Sequence, residues 1–304
     1  MVARDFAIDR RYVILEQVWD VNWFQQIENS MDAVHLSFAH AWGKKGRFVE
    51  AITSAIPDLA YSETAAGIRK LGRKALLVKG NIASLADVKA MTDKAFAEVG
   101  HVDVLVNNAG LARDMPRVPI EDLPLSEWNK IIGTNLTGMF IVSKAVVPYL
   151  KQAGDGHIVN TSSLFGLLAL PTQGTYNASK FAVRGFTESL RQELDLDACG
   201  VSATCVHPGG IRTNIAMAAR IDPAMQKRTG SDPEQARKRF DKLLNTTTAE
   251  SAALQILRAV EKNKRRVLVG PDAKLLDKVV RLLGSWYQLL IMRQMRHMAG
   301  PGQH

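Results

Sequence analysis

The chain has 304 residues, 46% of them hydrophobic and 23% charged, which is ordinary for one large α/β unit. Two cysteines rule out a disulfide framework. A net charge of +9 raises the question of nucleic acid, but the basic residues are dispersed, with local runs only at Lys227-Arg228, Arg237 to Arg239 and Lys262 to Arg266, so they read as a solvated face and no nucleic-acid partner is assigned.

Met1 to Arg11 carries charges and no apolar core, so no secretory signal is read and a cytoplasmic location is expected. Tyr12 to Leu15, a helix around Trp23 to His40, and Phe48 to Thr53 make a strand-helix-strand pattern whose register nothing in the residues fixes. From residue 74 the order is regular. A strand at Lys74 to Val78 leads into Gly80-Asn81-Ile82, then a helix runs from Ser84, with Asp87 completing a capping box, to Gly100. The strand Val102 to Val106 runs straight into Asn107-Asn108-Ala109-Gly110, whose small residues allow close approach of a ligand to the backbone.

Long helices are expected at Ser126 to Leu150 and Thr175 to Leu196. Between them the apolar run His157 to Asn160 ends in Thr161-Ser162-Ser163. A further buried strand, Val201 to Val206, ends in His207-Pro208-Gly209-Gly210, with Thr213 following. Three strands thus end in three polar turns, at the edge where open α/β sheets bind ligands. Thr229 to Glu234 reads as a connection near the substrate entrance. In the tail, Leu275, Leu276, Val279, Leu283, Trp286, Leu290 and Met295 alternate with Lys274, Lys278, Arg281, Arg293 and Arg296, an amphipathic basic helix over 273–298. It is too interrupted to span a bilayer, and docking on the body or on a twin subunit is preferred to membrane-surface binding.

Tyr176 and Lys180 carry the chemistry. Four residues apart on a helix they share a face, and an adjacent ammonium lowers a phenol's pKa by favouring the phenolate. Val183, Phe186, Leu190 and Leu194 turn that helix's apolar stripe inward, leaving Arg184, Glu188 and Arg191 solvated. Taken alone, such a pair means packing with a wet tip, Ser163 a strand-end cap and Asn135 a solvated helix surface; together and in order they make a site.

Asn107-Asn108-Ala109-Gly110, Ser163, Tyr176-Asn-Ala-Ser-Lys180 and Pro208-Gly209 resemble the short-chain dehydrogenase/reductase family over roughly residues 70 to 304. The resemblance implies a Rossmann-like doubly wound parallel α/β sheet and hydride transfer between NAD or NADP and a small alcohol or carbonyl. By it, Tyr176 is the general acid/base, Lys180 lowers its pKa and holds the nicotinamide ribose, Ser163 binds the reacting oxygen, and Asn135, in Thr134 to Gly138, serves a proton relay. Asn81, Ile82, Asn108, Ala109, Gly110, Pro208, Gly209 and Thr213 join Tyr176 and Lys180 around the cofactor. No metal ligand is assigned, and a homo-oligomer is expected.

The family's opening Gly-rich turn is not found: at its best register Ala39, His40, Lys44 and Gly46 fall on the key positions, leaving one glycine. Instead Asn22 to His35, with Asp32, His35 and His40, followed by Gly46 to Thr53 and Ile56 to Tyr61, resembles a fragment of the catalytic domain of Rieske-type non-haem iron oxygenases. In that family the two histidines bind iron and the aspartate links it to an iron-sulfur cluster. Cys199 and Cys205, however, both lie in the dehydrogenase-like part. The division expected is an oxygenase-like segment at 1–69 and a dehydrogenase domain at 70–304 whose first βαβ unit is missing or replaced. Two other readings stand beside the oxidoreductase: a catalytically impaired fusion joined near Glu63 to Arg69, and an iron-oxygenase fragment.

Overall fold

The computed structural model describes residues 11–16, 50–54, 66, 68–70, 74–111, 118–212 and 246–299. Its sheet is built from β1 Arg11–Glu16, β2 Glu50–Ser54, β3 Lys74–Lys79, β4 Val104–Asn107, β5 Gly156–Thr161 and β6 Val201–Pro208. A short ladder of β7 Ile211–Arg212 and β8 Thr247–Thr248 lies apart, and β9 Arg266–Val269 closes the sheet. The order is β3-β1-β2-β4-β5-β6-β9, every pairing parallel.

Successive side chains of a strand point to opposite faces, so apolar runs suit strands covered on both sides. Val104 and Val106 join Val159, Val206 and Ile256 in one core layer, while Leu105 joins Ile158, Ala203, Val142 and Leu194 in the other. The helices behind these layers are α1 Leu85–Val99, α2 Leu125–Ile132, α3 Met139–Ala153, α4 Gly174–Leu196 and α5 Ala249–Glu261. Helices α6 Pro271–Leu283 and α7 Tyr287–Ala299 follow. Helix α1 starts as expected, Ser84 Oγ accepting from the Asp87 amide at 3.3 Å, and ends at Gly100, whose φ of 79° suits glycine.

Three expectations are corrected. The helix expected over Ser126 to Leu150 is α2 and α3 joined by a π-helical turn, Gly133–Gly138, a type of bulge found at functional sites. Gly138 allows the turn to lie against Ile82: a Cβ there would come 2.7 Å from the Ile82 side chain. The span Leu125–Ala153 is long and apolar enough to cross a bilayer, yet Val142, Val146 and Leu150 are buried against the sheet layer, which makes it a core helix. Arg191, expected in water, is buried, because it reaches across to the carbonyl oxygen of Ala203 and to Asn263. The tail is two helices, broken at Gly284, where φ is 52° and ψ −129°.

The segment upstream contributes two strands. β2 pairs with β4, aligning Ile52 with Val106 and Thr53 with Asn107, so the edge that a missing first unit would expose is covered. The chain's first strand stands one place further out, between β2 and β3. The helix expected around Trp23 to His40, with Asp32, His35 and His40, lies outside the described residues.

Candidate active site

Parallel pairing puts the C-terminal ends of β4, β5 and β6 at one edge: Asn107 aligns with Asn160, and Asn160 with Cys205. Behind the edge, Asn107 Nδ2 donates to Ser143 Oγ at 3.0 Å and to Asn160 Oδ1 at 2.8 Å, and Asn160 Nδ2 donates to Thr187 Oγ1 at 3.1 Å. This buried network ties strands to α3 and α4 and fixes where the turns emerge.

Helix α4 brings Tyr176 and Lys180 to that edge. The Lys180 ammonium lies 5.6 Å from the centre of the Tyr176 ring and donates to the Thr161 carbonyl at 3.0 Å. Tyr176 also packs edge-to-face against Phe165, centroids 6.1 Å apart. Ser163 caps the short turn Leu164–Gly166, its Oγ accepting from the Phe165 amide at 3.2 Å. That leaves the hydroxyl proton of Ser163 to donate, and its hydrogen bond to Tyr176 favours the phenolate.

Electrostatics differ from the expectation. Burial pushes the Tyr176 phenol up, the Ser163 hydrogen bond opposing it, and Lys180 does not bring it down. The reason is the lysine itself: burial lowers its ammonium to about 8, so it is discharged before the phenol ionises. At neutral pH the pair is therefore a protonated phenol beside a weakly held ammonium.

Asn135, carried inward by the π turn, makes three contacts. Its Oδ1 accepts from the Leu111 amide at 2.7 Å, and its Nδ2 donates to the Leu111 carbonyl at 3.1 Å and to Ser179 Oγ at 3.1 Å. Ser179 Oγ donates on to the Tyr176 carbonyl at 2.8 Å. Asn135 thus clamps the turn after β4 to α4. A Cβ on Gly110 would come 3.2 Å from Lys180 Nζ and 3.5 Å from Asn135 Oδ1, so Gly110 keeps open the space beside the ammonium.

The structure brings Asn135, Ser163, Tyr176, Lys180 and Asn108 to Gly110 to one edge, with Pro208 and Gly209 at the end of the adjoining β6. Asn81 and Ile82 follow β3; Asn81 Oδ1 accepts from the Ala83 amide at 2.9 Å, and the Ile82 side chain is buried, which leaves that residue's backbone to meet a ligand. Thr213 lies outside the described residues.

Three contributors were missed. Ser179 stands inside the Tyr-x-x-x-Lys spacing, three residues after Tyr176, and its helical position could have flagged it. Asp272 holds the Gly209-Gly210 turn, accepting from the Gly210 amide at 2.5 Å and from Thr246 Oγ1 at 3.1 Å; no local pattern links residues so distant. His207 bonds through Nδ1 to the Ser163 carbonyl at 2.9 Å and meets Cys205 Sγ through Nε2 at 3.3 Å. Burial lowers its imidazole to about 4 and raises the Cys205 thiol to about 12, so this pair is neutral, with the Nδ1 proton donated to the carbonyl.

A doubly wound parallel sheet of this kind belongs to the α/β folds that bind ligands at the carboxyl ends of their strands. A family model described as short chain dehydrogenase matches residues 36–224, starting upstream of the boundary expected near residue 70. A putative oxidoreductase, SadH, of Mycobacterium tuberculosis is 41% identical over 211 residues, 69% of this chain and 73% of that one. Nodulation protein G of Azospirillum brasilense is 33% identical over 64% of this chain and 77% of its own. The chain belongs to the short-chain dehydrogenase family. A short-chain dehydrogenase/reductase from Burkholderia phymatum, solved in complex with NAD, shares its fold with a TM-score of 0.71 at 24% identity, covering 94% of this chain and 96% of that one. Levodione reductase does so with a TM-score of 0.66 at 20% identity, covering 87% and 98%.

Proposed function

We propose that the protein is an NAD- or NADP-dependent oxidoreductase of the short-chain dehydrogenase type that interconverts a small-molecule alcohol and its carbonyl. The observation that carries this reading is the convergence of Tyr176, Lys180 and Ser163 on a sheet edge whose neighbouring turn, at Gly110, runs close beside the ammonium.

The residues present suit the nicotinamide end of a coenzyme. Asn108 to Gly110, Pro208, Gly209, Tyr176 and Lys180 would hold it, since Lys180 has donors beyond the one given to Thr161. When bound, such a coenzyme gives or takes a hydride. The chain's own part is proton chemistry. Tyr176, kept protonated by burial, is in the form that donates to a carbonyl oxygen at neutral pH. Ser163 donates to the same oxygen, and Asn135 with Ser179 holds the Leu111 backbone and the first turn of α4 in place. The relatives support an oxidoreductase, and the NAD complex of a structural neighbour agrees with a nicotinamide coenzyme.

The other end of the coenzyme site supports a second reading, a fusion with impaired affinity. In doubly wound sheets of this kind the first strand stands beside the fourth and leads into the pyrophosphate turn; here β2 takes that place, and the residues after it, Ala55 to Ala66, contain no glycine. The segment 1–69 then acts as a substitute that completes the sheet without rebuilding the phosphate turn, and coenzyme affinity is weak. Sequencing the coding DNA across codons 60 to 72 tests the fusion, an intact Gly-rich start in another frame arguing against it. The oligomer expected would use α3 and α4, where Phe140 and Phe181 are exposed; the location proposed is cytoplasmic.

Reductase activity is tested by following loss of the near-ultraviolet absorbance of NADH and NADPH with a panel of small ketones and aldehydes. Carbonyl-dependent oxidation that disappears in Tyr176→Phe supports the reading; equal rates in parent and variant overturn it.

A further inference from the structure

We propose that α6 and α7 form a docking surface for an anionic lipid bilayer. Among the described residues the two helices are anchored through their inner side. Ala273 and Asp277 are buried, and the Tyr287 hydroxyl accepts from the Ala169 amide at 3.1 Å. Among the described residues their outer side carries exposed apolar groups: Leu282 is 85% exposed, Trp286 69%, Leu275 62% and Leu289 58%. Large apolar side chains left in water together mark an interaction surface. Of the stripe expected to dock on the body or on a twin subunit, Leu276, Val279 and Leu283 are half-buried, and Leu275, Trp286 and Leu290 are exposed.

Charge identifies the occupant. Lys274, Lys278, Arg281 and Arg293 are exposed on the same two helices. Both acids in the segment face inward, Asp272 to the Gly210 amide and Asp277 to Arg281 and Arg266, at 2.8 Å and 3.6 Å. The outward charge is thus of one sign. A second copy meeting this surface about a twofold axis would set basic residue against basic residue, whereas anionic headgroups complement the basic residues while the acyl boundary takes leucine and tryptophan.

The full-length protein is tested by flotation with phosphatidylcholine vesicles, with and without phosphatidylserine. It rises with the phosphatidylserine vesicles, about tenfold less with phosphatidylcholine alone, and is released by high salt. The variant Leu282→Ser/Trp286→Ser/Leu289→Ser stays at the bottom, and Lys274→Glu/Lys278→Glu/Arg293→Glu floats several-fold less. A parent protein that does not float, or binds both vesicles equally, overturns the proposal. So does a serine variant that floats like the parent, or one whose molar mass by light scattering falls, since the surface then belongs to a second copy. If circular dichroism shows the serine variant unfolded, the glutamate variant decides alone: flotation equal to the parent's overturns the proposal.

Discussion

Helix α4 buries two cations, Lys180 near its start and Arg191 near its end, 4% and 7% exposed, and the protein treats them in opposite ways. Arg191 is paired with a carboxylate: its Nε donates to Asp195 at 3.0 Å, and one terminal nitrogen donates to the Ala203 carbonyl at 3.1 Å and to Asn263 at 2.9 Å. Arg265 closes on the same Asp195 at 2.6 Å. Lys180, among the described residues, meets one backbone carbonyl and no carboxylate. A buried charge without a counter-ion is costly, and the cost appears as an ammonium brought down to about 8. A cation that only held the fold would be compensated as Arg191 is; one buried without a carboxylate partner is placed for a ligand.

The comparison can be broken most sharply at its functional end. Tyr176→Phe removes the proton donor and should lower kcat/KM for carbonyl reduction by about a thousandfold, with the far-ultraviolet circular dichroism unchanged. Lys180→Met should lower it by more than about a hundredfold and yet leave stability to urea equal or higher by about 1 kcal/mol, because a desolvated charge is removed. Arg191→Met should do the reverse: kcat/KM within a few-fold of the parent, and a loss of about 2 kcal/mol from the broken hydrogen bonds and packing. If both variants lost stability and neither lost activity, the distinction between the two cations would be empty.

Acidity sharpens the same contrast. As pH rises through about 8 the Lys180 ammonium discharges, so kcat/KM for reduction should fall there, and Lys180→Arg should move the fall upward. The folded value lies below the ordinary 10.5, so the unfolded chain binds more protons between the two. The penalty of burying this charge is complete below about pH 8 and is relieved as pH rises to 10.5. His207 acts at the other end of the scale. It is folded in neutral form with a value near 4 against 6.5, so stability falls as pH drops from 6.5 to 4, by an amount on the order of 3 kcal/mol; His207→Gln should flatten that slope in urea titrations.

Much of this was legible in residue spacing because local patterns encode it. Ser84 and Asp87 announced the start of α1, the apolar runs of β4, β5 and β6 announced buried strands, and the polar turns after them do emerge at one edge of the sheet. What was not legible came from contacts between distant residues. Arg191 looked like the wet side of a helix until β6 supplied a carbonyl and Asn263 an amide oxygen. The break at Gly284 needed a positive φ that a lone glycine does not announce, and the π turn at Gly133–Gly138 needed the packing of Gly138 on Ile82. The rise in the Tyr176 phenol also escaped, because spacing shows that a lysine is near and not that burial outweighs it.

The central claim is that Lys180 is kept uncompensated for a nicotinamide coenzyme. It is tested most directly by fluorescence titration of NADH and NADPH into the parent, Lys180→Met and Arg191→Met. Saturable binding of at least one coenzyme by the parent and by Arg191→Met, with at least about tenfold weaker binding by Lys180→Met, is the predicted result. No binding by the parent, or equal binding by all three, would contradict it.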